Sequence, residues 1–441
     1  MMLDRSPDPL GGSGDSFLFI TPPFWPASPR IADITRPMLR PGHIIALCVF
    51  ALLTLGVVMV SSADMSVRLV GAGHPATDGV TFQSIVLSRS SAYMVLALTA
   101  LIAGTYVPVR RLAAAFESGP STPLPGETRR RITLLLVASL VLVAVCALVY
   151  VPFIGLSKNG SHRWIALPFA KALTMQPSEI AKWGLAGLMA WYAASAARTG
   201  ELARFWKGLV PALVAVAIVA AFVVLEDLGT GALIAVSACV ILLTAGARLW
   251  QFLIFVPMGL AGVAAAIITN PYRIDRITAF LNPYADPEKT GYHMIQSLLA
   301  VSNGDGFGRG LGFGLQKMGY LPEGRTDFIF GVICEELGIA GAGLVVGLFL
   351  ALVWAGYAIH ARERSPLLRL FVLGVVSTVG LQALINLAVA TGMAPTKGIA
   401  LPMLSSGGTG WILTAFSLGL VLAVDRTQDD DEVVLDALVP A

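Results

Sequence analysis

Between His43 and Arg426 the chain returns repeatedly to apolar stretches of about twenty residues, the length an α-helix needs to cross a hydrocarbon core roughly 30 Å thick. Inside lipid every backbone N–H and C=O has to be paired within its own segment, so stretches of this kind are helices. Composition points the same way: 56% of the residues are hydrophobic and 13% charged, where soluble domains carry about 25% charged residues. The expected fold is an all-α polytopic membrane protein with about ten transmembrane helices, near 43–62, 91–108, 132–152, 178–196, 208–225, 230–247, 249–269, 328–358, 367–393 and 405–424. A large extracytoplasmic loop, 270–327, would lie between helices 7 and 8.

Three regions follow from this division. Residues 1–42, rich in Pro, Gly, Ser and Asp, read as a disordered cytoplasmic tail, 43–425 as the membrane domain, and 426–441 as an acidic cytoplasmic tail. Basic residues cluster before the first span (Arg30, Arg36, Arg40), after the second (Arg110, Arg111, Arg129, Arg130, Arg131), after the fourth (Arg198, Arg204, Lys207) and after the eighth (Arg362, Arg364, Arg369). All four clusters fall on one face, which places both termini in the cytoplasm. The net charge of +3 gives no indication of a nucleic-acid partner, and Cys48, Cys146, Cys239 and Cys334 lie singly in apolar stretches, without zinc or disulfide spacing.

The opposite, external face collects the unusual residues in four groups. The first is NGSHRWIALPFAKALTMQPSEIAK, with Lys158, Arg163, Lys171, Glu179 and Lys182. Pro177, Ser178 and Glu179 suit a helix start, but Lys182 falls inside a span on the face of Glu179, so a structural pair and a ligand-facing pair are both open. The second, LEDLGTGA, reads as a tight turn in which Asp227 caps the next helix. In the third, 272–338, Asp286 sits between Pro283 and Pro287 in a braced loop, and adjacent Glu335 and Glu336 need partners or water within an apolar helix. The same region holds Lys317, Arg325 and Asp327. Its run GDGFGRGLGFG has no preceding strand, so close packing of a short loop is preferred over a nucleotide site. The fourth, NLAVATGMAPTKGIALPMLSSGGTG, offers Lys397 as the cation for an anionic headgroup and Ser405 at the start of the last span.

Taken together, NGSHRWI with QPSEIAK, EDLGT, YRIDRI with NPYADP and GYHMIQS, QKMGYLPEGRTDFIF with EELG, and TGMAPTKGIALPMLSSGG resemble the SEDS family of FtsW and RodA, in order from about residue 43 to 425. Thr396–Gly398 and Asn282 before Pro283 look more like FtsW than RodA. Two departures are LEDLGT, lacking the proline of the family's EPDxGT, and SSGGTG in place of SYGGS. The resemblance implies a ten-helix polymerase of lipid II, the undecaprenyl-diphosphate disaccharide-peptide, at the outer face of the bacterial cytoplasmic membrane. It maps the catalytic carboxylate onto Asp286. It also implies a class B penicillin-binding transpeptidase and other divisome membrane proteins as partners, and action at the division septum.

Glycosyl transfer needs a base for the attacking hydroxyl and positive charge for the departing diphosphate. Asp286 is the candidate base. Arg163, Lys182, Lys317, Arg325 and Lys397 are the candidate cations, and Glu179, Asp327, Glu335 and Ser405 complete the candidate binding residues. No cofactor is required by the sequence, and a divalent cation, Mg2+ or Mn2+, is an allowed assistant for a diphosphate. A lipid II flippase or transporter and a division scaffold are the rival readings, because intramembrane charges also mark transport pathways.

Overall fold

In the computed structural model the described residues are 40–72, 86, 88–117, 126–152, 155–158, 161–167, 170–321, 323–406 and 408–438. The expected N-terminal tail lies outside them up to residue 39. Every apolar stretch identified in the sequence falls on helix: α1 Pro41–Ala72, α2 Arg89–Thr105 with α3 Val109–Glu117, α4 Glu127–Ala147, α5 Pro177–Arg198, α6 Val210–Glu226, α7 Leu228–Thr244, α8 Leu249–Ile268, α11 Ile329–Arg362, α12 Pro366–Ala390 and α13 Thr409–Leu438. By length and composition seven of these helices can cross a membrane, or up to eight when α2 and α3, bent by 55°, count as one span. α7 falls short because it has only 17 residues.

Local chemistry sets many of the boundaries. Pro177, Pro271 and Pro366 occupy first-turn positions, where the missing N–H costs nothing. The side chains of Ser88, Asp227, Asn270 and Ser365 accept from backbone N–H groups of the first turns that follow them.

The structure corrects the sequence reading in three places. The chain is not all-α: β1 Gly155–Lys158, β2 Ser161–Leu167 and β3 Ala170–Met175 form an antiparallel sheet in the order β1-β2-β3, with Leu156 opposite Trp164 and Ile165 opposite Met175. A search for helical spans passes over strands of four to seven residues. The segment 270–327 is not one loop but contains α9 Pro271–Leu281, a 3-10 turn Pro283–Ala285 and α10 Tyr292–Ser302. The acidic C-terminal stretch continues α13 as far as Leu438.

Packing divides into two cores that share α12. One joins α1, α2, α11 and α13 through residues such as Leu52, Leu101, Val345 and Leu418. The other joins α4, α5, α6 and α7 through Leu135, Met189, Val219 and Ile241. Gly104 of α2 meets Gly419 of α13 so closely that a Cβ on Gly419 would lie 2.3 Å from the Leu101 carbonyl oxygen, the small-residue approach by which helices pack in lipid. α8 stands apart: of its residues only Gln251 is buried, donating to the Ala203 carbonyl at 3.1 Å.

α11 breaks at Gly338, where φ is 64° and ψ −159°, and the glycine-rich run repairs the break. Arg309 and Gly310 N–H donate to the carbonyls of Glu335 and Glu336, and Ile339 and Ala340 N–H donate to those of Asp305 and Gly306. Both glutamates serve the same splice. Glu335 accepts from Leu315 N–H at 2.9 Å, and Glu336 accepts from Gly312 N–H at 3.0 Å and from Ser62 of α1 at 2.9 Å. Lys317 Nζ lies 2.6 Å from Glu336 Oε1, with both side chains buried. A Cβ at Gly338 would fall 2.3 Å from the Gly308 nitrogen, so Gly338→Ala is expected to strain the backbone by about 1–3 kcal/mol before any clash is counted. The check is loss of the folded, monodisperse protein on detergent size exclusion; an unchanged profile and melting temperature would remove the splice from the account.

Candidate functional site

A cavity of about 920 Å3 opens at the end of the helical body that carries the α6–α7 turn, and it is lined by side chains drawn from positions 163 to 414. Five of the lining side chains are basic (Arg163, Lys182, Arg276, Lys289, Lys397) and five acidic (Glu179, Asp227, Asp275, Glu323, Asp327), with His293 beside them. So dense an ionic lining in a polytopic chain marks a ligand site, because charge in such surroundings is costly unless it is used.

The sheet exists locally to carry Arg163. β2 is clasped to the end of α6 by Glu226, which accepts from Tyr150 Oη at 2.6 Å and from His162 N–H at 2.9 Å. Arg163 then reaches across, donating through Nε and Nη2 to the Glu226 carbonyl at 3.0 and 2.6 Å, with Nη1 3.9 Å from Asp227 Oδ2. Asp227 in turn caps α7, accepting from Thr230 N–H at 3.1 Å and from Thr230 Oγ1 at 2.9 Å. The cap expected from the sequence is present, and the same residue supplies countercharge to the cavity. Asp227→Ala should therefore cost about 1 kcal/mol in capping, and it should also shift the affinity for an anionic ligand. Thermal unfolding and ligand titration on one sample separate the two effects.

Lys182 and Glu179 settle as a pair, 2.7 Å apart on one face of α5, and Lys182 also donates to Gln382 Oε1 of α12 at 2.9 Å. Gln382 Nε2 donates to the Ala400 carbonyl and Asn386 Nδ2 to the carbonyls of Asp327 and Ile399, so two polar residues one turn apart on α12 fix the loop 391–408. Ser405 is buried and braces that loop, its hydroxyl accepting from Leu401 N–H at 2.7 Å. Lys397 stands in the cavity, its ammonium pushed down from the usual lysine range by burial and partly restored by Asp227. Arg276 of α9 lies over the Tyr272 ring and donates to the Thr396 carbonyl at 3.1 Å. A Cβ on Gly398 would lie 3.3 Å from Arg163 Nη1 and 3.5 Å from Asp327 Oδ2, which places those two charged groups against the same spot of backbone.

Of the residues singled out in the sequence, Arg163, Glu179, Lys182, Asp327, Lys397 and Ser405 line the cavity and four do not. Lys317 and Glu335 are committed to the glycine-rich splice. Arg325 pairs with Asp64 at 3.0 Å, and its carbonyl accepts from Ser406 N–H. Asp286, half-buried, ends the 3-10 turn, and its carbonyl accepts from Gly291 N–H at 2.9 Å. Its segment forms the cavity rim, since Lys289, Thr290 and His293 just beyond it are lining residues. Arg276, noted in the sequence only as one of the charges crowding 272–338, and Gln382, not noted at all, are also cavity residues. A lone glutamine four residues before Asn386 in an apolar helix was the available signal for the second.

Among the described residues no group of three or more His, Cys, Asp or Glu side chains is arranged to hold a metal ion. The acids of the cavity are interleaved with cations, a lining that suits an anion rather than Mg2+ or Mn2+.

Comparison with known proteins agrees with this architecture. A family model described as a cell cycle protein, that of FtsW, RodA and SpoVE, matches residues 125–430. A protein of Halomonas elongata named "Probable peptidoglycan glycosyltransferase FtsW" is 37% identical over 380 residues, covering 85% of this chain and 88% of that one. The stage V sporulation protein E of Bacillus subtilis is 39% identical over 295 residues, 65% of this chain and 79% of that one. A solved structure concerned with coordination of polymerization and crosslinking by a peptidoglycan synthase complex contains a chain similar at a TM-score of 0.61 and 27% identity, covering 87% of this chain and 97% of that one. Thermus thermophilus RodA is similar at 0.56 and 25%, over 87% and 96%. The matched length, the shared fold and the identity to these relatives leave one conclusion: the chain belongs to the FtsW/RodA/SpoVE family of multi-pass membrane proteins.

Proposed function

We propose that the protein is a peptidoglycan glycosyltransferase that polymerises lipid II into glycan strands, in cell division as its FtsW-named relatives suggest. The observation that carries this reading is the cavity, with Arg163, Arg276 and Lys397 grouped where an anionic headgroup could enter. Both termini are cytoplasmic in this reading, which puts the cavity mouth at the outer face, where lipid II presents its sugars. All ten helical segments span or line the membrane body, including α5 and the short α7.

Asp286 is the proton acceptor for the attacking sugar hydroxyl. Riding on the rim, its carboxylate reaches the reacting sugar once the substrate is seated, since catalytic hydrogen bonds tighten in the substrate complex. Attack by the hydroxyl oxygen forms the new glycosidic bond as the bond from the sugar carbon to diphosphate breaks, inverting that carbon. The lipid diphosphate departs against the cations. Lys182 serves the site through Glu179 and Gln382 rather than as a free cation, and Lys317 and Arg325 act at a distance by holding the surrounding backbone. The partner in this reading is a class B penicillin-binding transpeptidase within the division complex, supported by the likeness to a chain of a synthase complex.

The test is polymerisation of labelled lipid II by the purified protein in lipid nanodiscs, with and without a cognate transpeptidase. Glycan strands on a gel support the proposal. Headgroup translocation in proteoliposomes without polymer would overturn it in favour of the flippase.

A further inference from the structure

An anion-binding cavity whose five basic side chains are matched by five acidic ones has a charge problem, because a diphosphate diester adds about two negative charges to a set that already balances. Most of the acids are engaged. Glu179 faces Lys182, both oxygens of Asp227 are taken by Thr230, and Glu323 accepts from Thr326 Oγ1 at 2.8 Å. Of the two that are not, Asp275 is exposed and Asp327 half-buried: among the described residues no hydrogen bond or ion pair engages the Asp327 carboxylate, although Asn386 fixes its backbone by donating to its carbonyl at 2.9 Å. Arg163 from β2 and Arg276 from α9 face it, as do Glu323 from its own loop and Asp227 from the α6–α7 turn. Burial and the two acids outweigh the two guanidinium groups and push the Asp327 carboxyl up to about 7. His293, stacked on the neighbouring Phe328 with ring centroids 6.3 Å apart, is the imidazole of the cavity lining.

We propose that a diphosphate enters this cavity together with one proton, which resides on Asp327, so that Asp327 meets the ligand as a neutral acid. In that form it donates a hydrogen bond to a phosphate oxygen and removes one countercharge from beside Arg163 and Arg276, which face it. The ionised form would instead place a third negative centre among those cations and repel the ligand. This deepens the reading of the cavity as the diphosphate site and rests on it.

Two measurements test the proposal. The first is calorimetric binding of a polyprenyl diphospho-monosaccharide, a diester with no ionisation of its own near neutrality, to the full chain in nanodiscs at pH 7.5 in buffers of different ionisation enthalpy. Uptake of most of one proton, abolished in Asp327→Asn and retained in His293→Gln, is the expected result. The second is the pH profile of KM for lipid II. KM should rise about tenfold per pH unit above neutrality in the unsubstituted protein, and stay flat in Asp327→Asn, whose amide donates at every pH. Binding with no proton uptake, or an unchanged slope in Asp327→Asn, overturns the proposal while the cavity reading stands. Failure to bind, with no loss of KM on Arg163→Ala or Lys397→Ala, overturns both.

Discussion

Asp286→Ala is expected to stop glycan synthesis while leaving the protein folded, with a fall in polymerisation rate of about 10²–10⁴, the usual contribution of a positioned base. Stability should not change, because the side chain is half-buried and makes no hydrogen bond among the described residues. The substituted protein should therefore melt with the unsubstituted one and still bind lipid II. Asp286→Glu would restore part of the rate if the carboxylate acts as the base, since a proton acceptor tolerates some displacement better than removal. Should nanodisc-embedded Asp286→Ala make strands at the normal rate, another group must take the proton.

The second large effect is expected outside the cavity lining. Lys317→Ala leaves Glu336 buried without its cation, and breaking a buried pair from one side costs about 3–5 kcal/mol. Glu336 also receives Gly312 N–H and Ser62, so its own replacement by Leu orphans two further donors. The double substitution Lys317→Leu with Glu336→Leu should recover part of the loss and not all of it. Denaturant unfolding in detergent, arranged as a double-mutant cycle, checks this. An additive result would mean that the pair is not coupled and that α1, α11 and the glycine-rich run are held together by other contacts.

How much of this could be read from residues alone differs by element. The apolar stretches declared the helices, because lipid permits little else and because Pro177, Pro366, Asp227 and Ser365 mark their starts. The sheet was hidden, being three short strands whose stability comes from Glu226 and Tyr150, partners brought in from elsewhere. Lys397, Arg163 and the Glu179–Lys182 pair were legible as site residues because each is a charge placed where charge is expensive. Lys317 and Glu335 carry the same mark and yet belong to the helix splice, since a buried charge announces a cost without saying what offsets it. Asp227 illustrates the converse error, for a capping role is local and visible, whereas its second role depends on a strand more than sixty residues earlier.

One feature of the cavity bears on how such a protein is made. Its walls begin with Arg163 on β2 and end with Trp411 and Thr414 on α13, with contributions from α5, α7, α9, α10 and α12 between. While the chain is still being inserted, the emerging protein can have complete early helices and a clasped sheet and yet hold no substrate site. Only delivery of the final hydrophobic segment closes the wall, so a nascent or prematurely terminated chain is silent by construction and cannot begin synthesis before its assembly is finished.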